Sequence, residues 1–198
     1  MLLQKWLLTA IQAQSSPLAN TGPLYLFGSN ILGQIGDNSV IFEKDPTLIG
    51  NYSWAQVETG SGHTLGLRSD SYLFAWGEND SGQIGDKTTV HRSSPVQLGG
   101  KFWKSISTKD STSYAIRNDG LLFAWGYSLD GELGINDFTT ASLAKSWSMV
   151  SMGDSHTVAL RSDGMLFTWG NGASGQLGLG VVGHRSSQVQ IGTSSWVY

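Results

Sequence analysis

Residues 153–178 read Gly-Asp-Ser-His-Thr-Val-Ala-Leu-Arg-Ser-Asp-Gly-Met-Leu-Phe-Thr-Trp-Gly-Asn-Gly-Ala-Ser-Gly-Gln-Leu-Gly. His156 to Arg161 alternates polar and apolar residues, the period of a half-buried strand. Ser162-Asp163-Gly164 is a hairpin turn, in which glycine takes a positive φ at little cost. The chain then returns with Phe167 and Trp169 on one face of a second strand, and Gly175-x-x-Gly178 reverses it again.

The same pattern recurs upstream. Trp76-Gly77, Trp125-Gly126 and Trp169-Gly170 are preceded by Phe27-Gly28 in the same place, at steps of 49, 49 and 44 residues. A second ladder, Trp54, Trp103, Trp147 and Trp196, advances by 49, 44 and 49. One five-residue deletion between Trp125 and Trp147 accounts for both short steps. Gly33-Gln-Ile-Gly36, Gly82-Gln-Ile-Gly85, Gly131-Glu-Leu-Gly134 and Gly175-Gln-Leu-Gly178 follow the first ladder. Gly62-His63-Thr64-Leu65 and Ser155-His156-Thr157-Val158 precede it, with Ser111-Thr112-Ser113-Tyr114 as the departure in the middle unit. Three to four short strands in each unit of about 50 residues predict propeller blades. Units of about 24–57, 58–106, 107–150 and 151–198 compose the repeat domain, residues 24–198, after a linker at 17–23.

Composition agrees with this reading. Twenty-six Gly and eight Trp in 198 residues, with only 14% charged residues, describe tight turns between aromatic strands. No cysteine is present, which excludes a disulfide scaffold, a thiolate metal site and a cysteine nucleophile. A net charge of −3 argues against bulk electrostatic binding of nucleic acid. No apolar run reaches the ~18 residues of a membrane span.

These motifs resemble the regulator-of-chromosome-condensation repeat, whose unit runs roughly Gly-x-x-His-Thr-x-Ala-Leu, Asp-Gly, Trp-Gly, Gly-Gln-Leu-Gly. The resemblance covers Leu24 to Tyr198 and is nearly continuous over Gly153 to Gly178. It implies an all-β fold of propeller blades, usually seven in a ring. Seven units of ~49 residues would need about 340, so about 3.5 repeats are expected here, as an incomplete or a small ring. An open fragment exposes apolar blade faces and strand edges that proteins normally cover. A second copy, a different protein, or closure into a compact four-bladed ring would each cover them.

Residues 1–16 differ in character. Leu3, Trp6, Leu7, Ala10 and Ile11 fall on one face at helical spacing, predicting a short amphipathic helix ended by Ser15-Ser16-Pro17. It would dock a partner or plug the chain's own open blade edge. The apolar run is short, is interrupted by Thr9 and has only Lys5 as a basic residue nearby, so secretion through a signal peptide is not expected.

The sequence predicts no catalytic, cofactor-binding or metal-ligating residues. His63 and His156 recur at equivalent positions, which suits a structural role with ring nitrogens satisfying groups between strands. The structural repeat set is His63, Thr64, Trp76, Gly77, Gly82, Gly85, Trp125, Gly126, Gly131, Gly134, His156, Thr157, Trp169, Gly170, Gly175 and Gly178. His91-Arg92-Ser-Ser recurs as His184-Arg185-Ser-Ser in register, either as a repeated contact loop or as solvated loop retained by duplication. Candidate partner contacts are therefore Leu3, Trp6, Leu7, Ile11, His91, Arg92, His184 and Arg185. Asp37 and Asp86 follow the Gly-x-x-Gly turn in the first two units and are read as turn-bonding residues. The Gly-x-x-Gly loops lack the Lys-Ser/Thr of a P-loop.

The expected function is that of a non-enzymatic structural or interaction protein, incorporated through open blade edges and the N-terminal helix into a larger assembly, with a virion or phage tail as the expected kind. Its partners would be proteins, through self-association or other subunits, with no nucleic acid, membrane span, cofactor or small-molecule substrate. It would reside in the virion, or otherwise in the cytoplasm. The resemblance also implies two alternatives, a guanine-nucleotide-exchange or other regulatory module and a secreted propeller-type enzyme inhibitor. A fold shared by so many roles does not decide among them.

Overall fold

The computed structural model describes residues 21–100, 102–134, 141–143 (backbone only) and 146–196. The predicted N-terminal helix lies outside the described residues. What is described is all β: fourteen strands in one two-stranded and three four-stranded antiparallel sheets.

The two-stranded sheet pairs β1 (Tyr25–Gly28) with β2 (Glu43–Leu48). The second sheet runs β3 (Trp54–Thr59), β4 (His63–Arg68), β5 (Leu73–Gly77), β6 (Arg92–Gln97). The third runs β7 (Trp103–Lys109), β8 (Thr112–Arg117), β9 (Leu122–Gly126), β10 (Ala141–Leu143), and the fourth β11 (Trp147–Met152), β12 (His156–Arg161), β13 (Leu166–Gly170), β14 (Arg185–Ile191). Each complete sheet is thus a simple meander, called blades two, three and four below. β1 and β2 occupy the third and fourth strand positions of blade one, since Phe27-Gly28 falls where Trp76-Gly77 ends β5.

The two tryptophan ladders define this geometry. Trp54, Trp103 and Trp147 open the first strands, and β3, β7 and β11 neighbour one another, so the first strands form the inner edge of the array. Trp103 and Trp147 donate their backbone N–H to the central hairpin turns of the blades before them, to Ser71 and Gly120 (both 2.8 Å), and Trp54 donates to Gly22, the equivalent position ahead of β1, at 2.9 Å. Trp196 does the same to Gly164 at 2.7 Å, which places it where a further first strand begins. Near the inner edge the Gln56 side chain acts as a backbone surrogate. It donates to the Ile106 carbonyl at 2.9 Å and accepts from the Ile106 N–H at 3.1 Å, tying β3 to β7.

Side-chain alternation then gives each blade two apolar faces. Residues 65, 67, 73 and 75 of blade two face blade three and pack with Trp103, Ile106, Ala115 and Trp125. Residues 114, 116, 122 and 124 face blade four and meet Trp147, Val150, Ala159, Phe167 and Trp169. Leu24, Leu26, Ile35 and Ile49 of blade one meet Trp54, Phe74 and Trp76 of blade two. The core is therefore three slabs, one at each joint between blades. Rings meet edge to face within them, as Trp103 with Phe123 and Trp147 with Phe167, both at 5.3 Å.

Candidate functional site

The residues that the repeat singles out converge on the joints. At each one a single backbone carbonyl, that of the second residue of the Gly-x-x-Gly turn, collects donors from the following blade. The Gln34 carbonyl accepts from the Thr64 hydroxyl (2.8 Å) and the Trp76 indole N–H (2.9 Å). The Gln83 carbonyl accepts from Ser113 (2.8 Å) and Trp125 (2.9 Å). The Glu132 carbonyl accepts from Thr157 (3.0 Å) and Trp169 (2.6 Å), and also from the Tyr114 hydroxyl. Burial pushes the Tyr114 phenol up, so it remains a neutral donor. These latches hold a donor pair on a carbonyl where water is excluded, so breaking one leaves a buried group unpaired.

The glycines of the turn are part of the same device. A Cβ on Gly36, Gly85 or Gly134 would stand 2.6, 2.7 and 2.7 Å from the indole nitrogen of Trp76, Trp125 and Trp169. The Gln or Glu side chain does separate work. Its Oε accepts the N–H two residues earlier in all four turns, from Leu32, Ser81, Asp130 and Ser174. That is why Glu132 substitutes for Gln without loss of the turn.

His63 forms a second bridge at the joint of blades two and three. It is fully buried, with Nε2 at 2.8 Å from both Ser113 Oγ and Thr108 Oγ1 of blade three. Those hydroxyls already donate, to the Gln83 and Thr112 carbonyls, so Nε2 carries the proton and donates to them. Burial pushes the His63 pKa down to about 4, only partly offset by the Asp110 carbonyl. His156 occupies the same repeat position in blade four but is only half-buried.

The last turn is different. Gln176 is exposed, and the nearest atom to a Cβ on Gly178 would be Ile191 Cδ1 at 3.9 Å. On the same side of blade four, Val158, Leu160, Leu166 and Ile191 are half-buried, whereas their equivalents Leu65, Leu67, Leu73 and Leu98 are 0–7% exposed. At the opposite end of the array, Tyr25 and Phe27 of β1 are 49% and 42% exposed.

The meander places the first hairpin turns and the long loops between third and fourth strands at one end of the array, and the central hairpins at the other. At the first end sit the repeated His-Arg loops. His91 Nδ1 accepts the Asn79 N–H at 3.0 Å, and the Arg92 guanidinium donates to Asp86 at 2.7 Å. In blade four Leu179 replaces the aspartate, Arg185 bonds the His184 carbonyl (2.9 Å), and His184 lies 3.6 Å from Asp130. The first pair braces its loop, and His184 is more exposed than His91. Leu3, Trp6, Leu7 and Ile11 lie outside the described residues.

Sequence reasoning missed two residues here. Asn30 and Asn79 are fully buried, each accepting a backbone N–H of the Gly-x-x-Gly turn (from Ile35 and Ile84, both 2.9 Å) and donating to Asp37 or Asp86. Hydrogen bonds from Ser39 and from Thr88 and Arg92, respectively, outweigh desolvation and hold both carboxyls below the usual carboxylate range. The signal was present: Asn and Asp occur together in the first two units and are both replaced in the last, by Gly172 and Leu179.

Among the described residues no cluster of His, Asp or Glu is arranged to hold a metal, and no helix is long and apolar enough to cross a membrane.

Joints, turns and ladders together define a chain of propeller blades. Two family models of the regulator of chromosome condensation (RCC1) repeat match it, one over residues 54–83 and 149–176 and the other over 70–114 and 163–195. The chain belongs to this repeat family. Among solved structures, human WBSCR16 is similar with a TM-score of 0.74 and 24% identity, over 85% of this chain and 47% of that one. Prp20p from Saccharomyces cerevisiae, in a study of its binding to Gsp1p and histones, gives 0.74 and 21%, over 87% and 47%. Yeast RCC1 (Prp20) bound to Kap60 gives 0.72 and 20%, over 86% and 44%. These likenesses establish the β-propeller fold, and the chain spans about half the length of each of these proteins. No curated protein matches the sequence.

Proposed function

We propose that this chain is a protein-binding module that works through the faces of its blades rather than through bond-making chemistry. The observation that carries the reading is the outward face of blade four. Its Val158, Leu160, Leu166 and Ile191 repeat a surface that is covered at every internal joint, and it presents the Gln176 turn to solvent. An apolar sheet face left half-buried where its equivalents are sealed supports an interaction site. The binding of Gsp1p, histones and Kap60 by the yeast relative accords with protein partners.

The finer reading is a subunit of a larger particle, a virion or phage tail, because symmetric particles bury such end faces against neighbouring subunits. The location would then be the particle. The competing reading, a regulator that drives guanine-nucleotide exchange on a small GTPase, predicts accelerated release of a fluorescent nucleotide from the GTPase.

Affinity capture from the source cells with the wild-type chain and with Leu160→Asp tests the proposal. A protein identified with the wild type and lost with the variant supports it. Equal recovery with both, from a variant that remains folded, overturns it.

A further inference from the structure

We infer that the partner of the blade-four face is the β1 end of a second copy of this chain, so that copies associate head to tail. The inference rests on the binding-module reading and names its partner.

Each internal joint has two halves. The earlier blade offers an aliphatic face from its second and third strands. The later blade lays onto it two aromatic residues, two positions apart, from its third strand: Phe74 and Trp76, Phe123 and Trp125, or Phe167 and Trp169. Both halves are also present at the two ends of the described array, the aliphatic one half-buried and the aromatic one exposed. Leu160 and Leu166 pair across blade four as Leu67 and Leu73 do across blade two, so they lie on the aliphatic half. Tyr25 and Phe27 stand on β1 where Phe74 and Trp76 stand on β5, and they are exposed where Phe74 is 8% and Trp76 0% exposed.

The backbone points the same way. β5, β9 and β13 are each paired on both edges, whereas among the described residues β1 pairs only with β2. At the other end, the Trp196 N–H bond to Gly164 marks the start of a first strand. A sheet edge that is unpaired among the described residues, as that of β1 is, offers a template for pairing with a second copy.

One feature sets this joint apart from the internal ones. Phe27 replaces the tryptophan and has no indole N–H to give to the Gln176 carbonyl. The association is consequently reversible and concentration-dependent. The two surfaces are different patches, so the contact is heterologous and either closes a ring or continues to further copies.

Sedimentation velocity on the whole chain tests this. The wild type is expected to rise above 21.3 kDa with increasing concentration. Phe27→Asp blocks the aromatic half and Leu160→Asp the aliphatic half, and each alone is expected to run as a monomer. Mixed one to one, they retain one competent half each and should give a species of twice the chain mass that grows no further. Val158→Lys and Tyr25→Asp serve as second variants should either aspartate unfold its blade, judged by near-ultraviolet circular dichroism. A wild type that stays monomeric at every concentration overturns the inference, as does association that survives both variants or a mixture that remains monomeric. The capture experiment judges the binding-module reading independently, because a monomeric chain can still lose a different partner on Leu160→Asp.

Discussion

His63 and His156 hold the same place in the same motif, yet one is sealed and the other is not. His63 is closed in by Thr108 and Ser113 of the next blade, whereas His156 belongs to the last described blade. The same contrast separates Gln83 from Gln176 and Gly85 from Gly178. A repeat residue in this fold acquires its energetic weight from the blade that follows it, so the Gly-x-x-Gly turn is structural at the three joints and a surface feature in blade four.

The largest test of this contrast is truncation of a latch. Trp125→Ala removes a side chain that is 4% exposed, empties part of the slab between blades two and three, and leaves the Gln83 carbonyl one donor short. The expected loss is about 3–5 kcal/mol, the range for deleting a buried aromatic. Trp196→Ala, at a residue 50% exposed, is expected to cost less than about 1 kcal/mol in the isolated chain. Urea unfolding of both variants measures the difference, and equal losses would mean that the joints do not dominate stability.

Acid tests the sealed histidine. An unfolded histidine takes up a proton below its ordinary value of 6.5, while folded His63 resists until about 4. Its contribution is therefore fully present above pH 6.5 and is lost as the pH falls from 6.5 toward 4, with no further loss from this group below that. The window corresponds to about 3 kcal/mol. His63→Gln should flatten this slope in unfolding curves taken between pH 7 and 4.

Glycine substitution sharpens the comparison at a single atom. Gly85→Ala combines a φ of +82° with a Cβ 2.7 Å from the Trp125 indole nitrogen, and about 2–4 kcal/mol is expected. Gly178→Ala has a similar φ of +66° but open space, so about 1 kcal/mol of backbone cost remains. Thermal unfolding of the two variants should therefore differ although the motif is the same.

The blades were legible because the repeat fixes both the strand period and the turn positions. The Trp76 ladder fell at the ends of returning strands and the Asp-Gly hairpins between second and third strands, whereas Trp54, Trp103 and Trp147, placed near the ends of the sequence units, open the first strands of the blades that follow. The joint was only half legible. Thr64 and Trp76 announce themselves as recurring donors, but their acceptor is a backbone carbonyl, which leaves no trace in residue identity. The Gln of the motif draws attention to its side chain, which serves its own turn instead. Nor does position in a repeat show which copy of a motif will be covered, because that depends on a neighbouring sheet rather than on local sequence.

The smallest test concerns a place where the units differ at the backbone. The central hairpins of blades three and four put Gly120 and Gly164 at φ +82° and +86°, each donating to the arginine carbonyl three residues earlier. Blade two has Ser71 there, at φ +67°, donating to the Arg68 carbonyl at 2.9 Å. The carbonyl of Ser71 accepts the Trp103 N–H, as Gly120 accepts that of Trp147, so the fold holds all three hairpins in one shape. A serine in the left-handed region carries a cost of about 1 kcal/mol that glycine avoids, offset by roughly half through the greater freedom of glycine in the unfolded chain. Ser71→Gly is thus expected to raise the thermal midpoint by about 1–2 °C for a chain of this size. A drop would mean that the serine side chain stabilises the hairpin by more than its backbone strain costs.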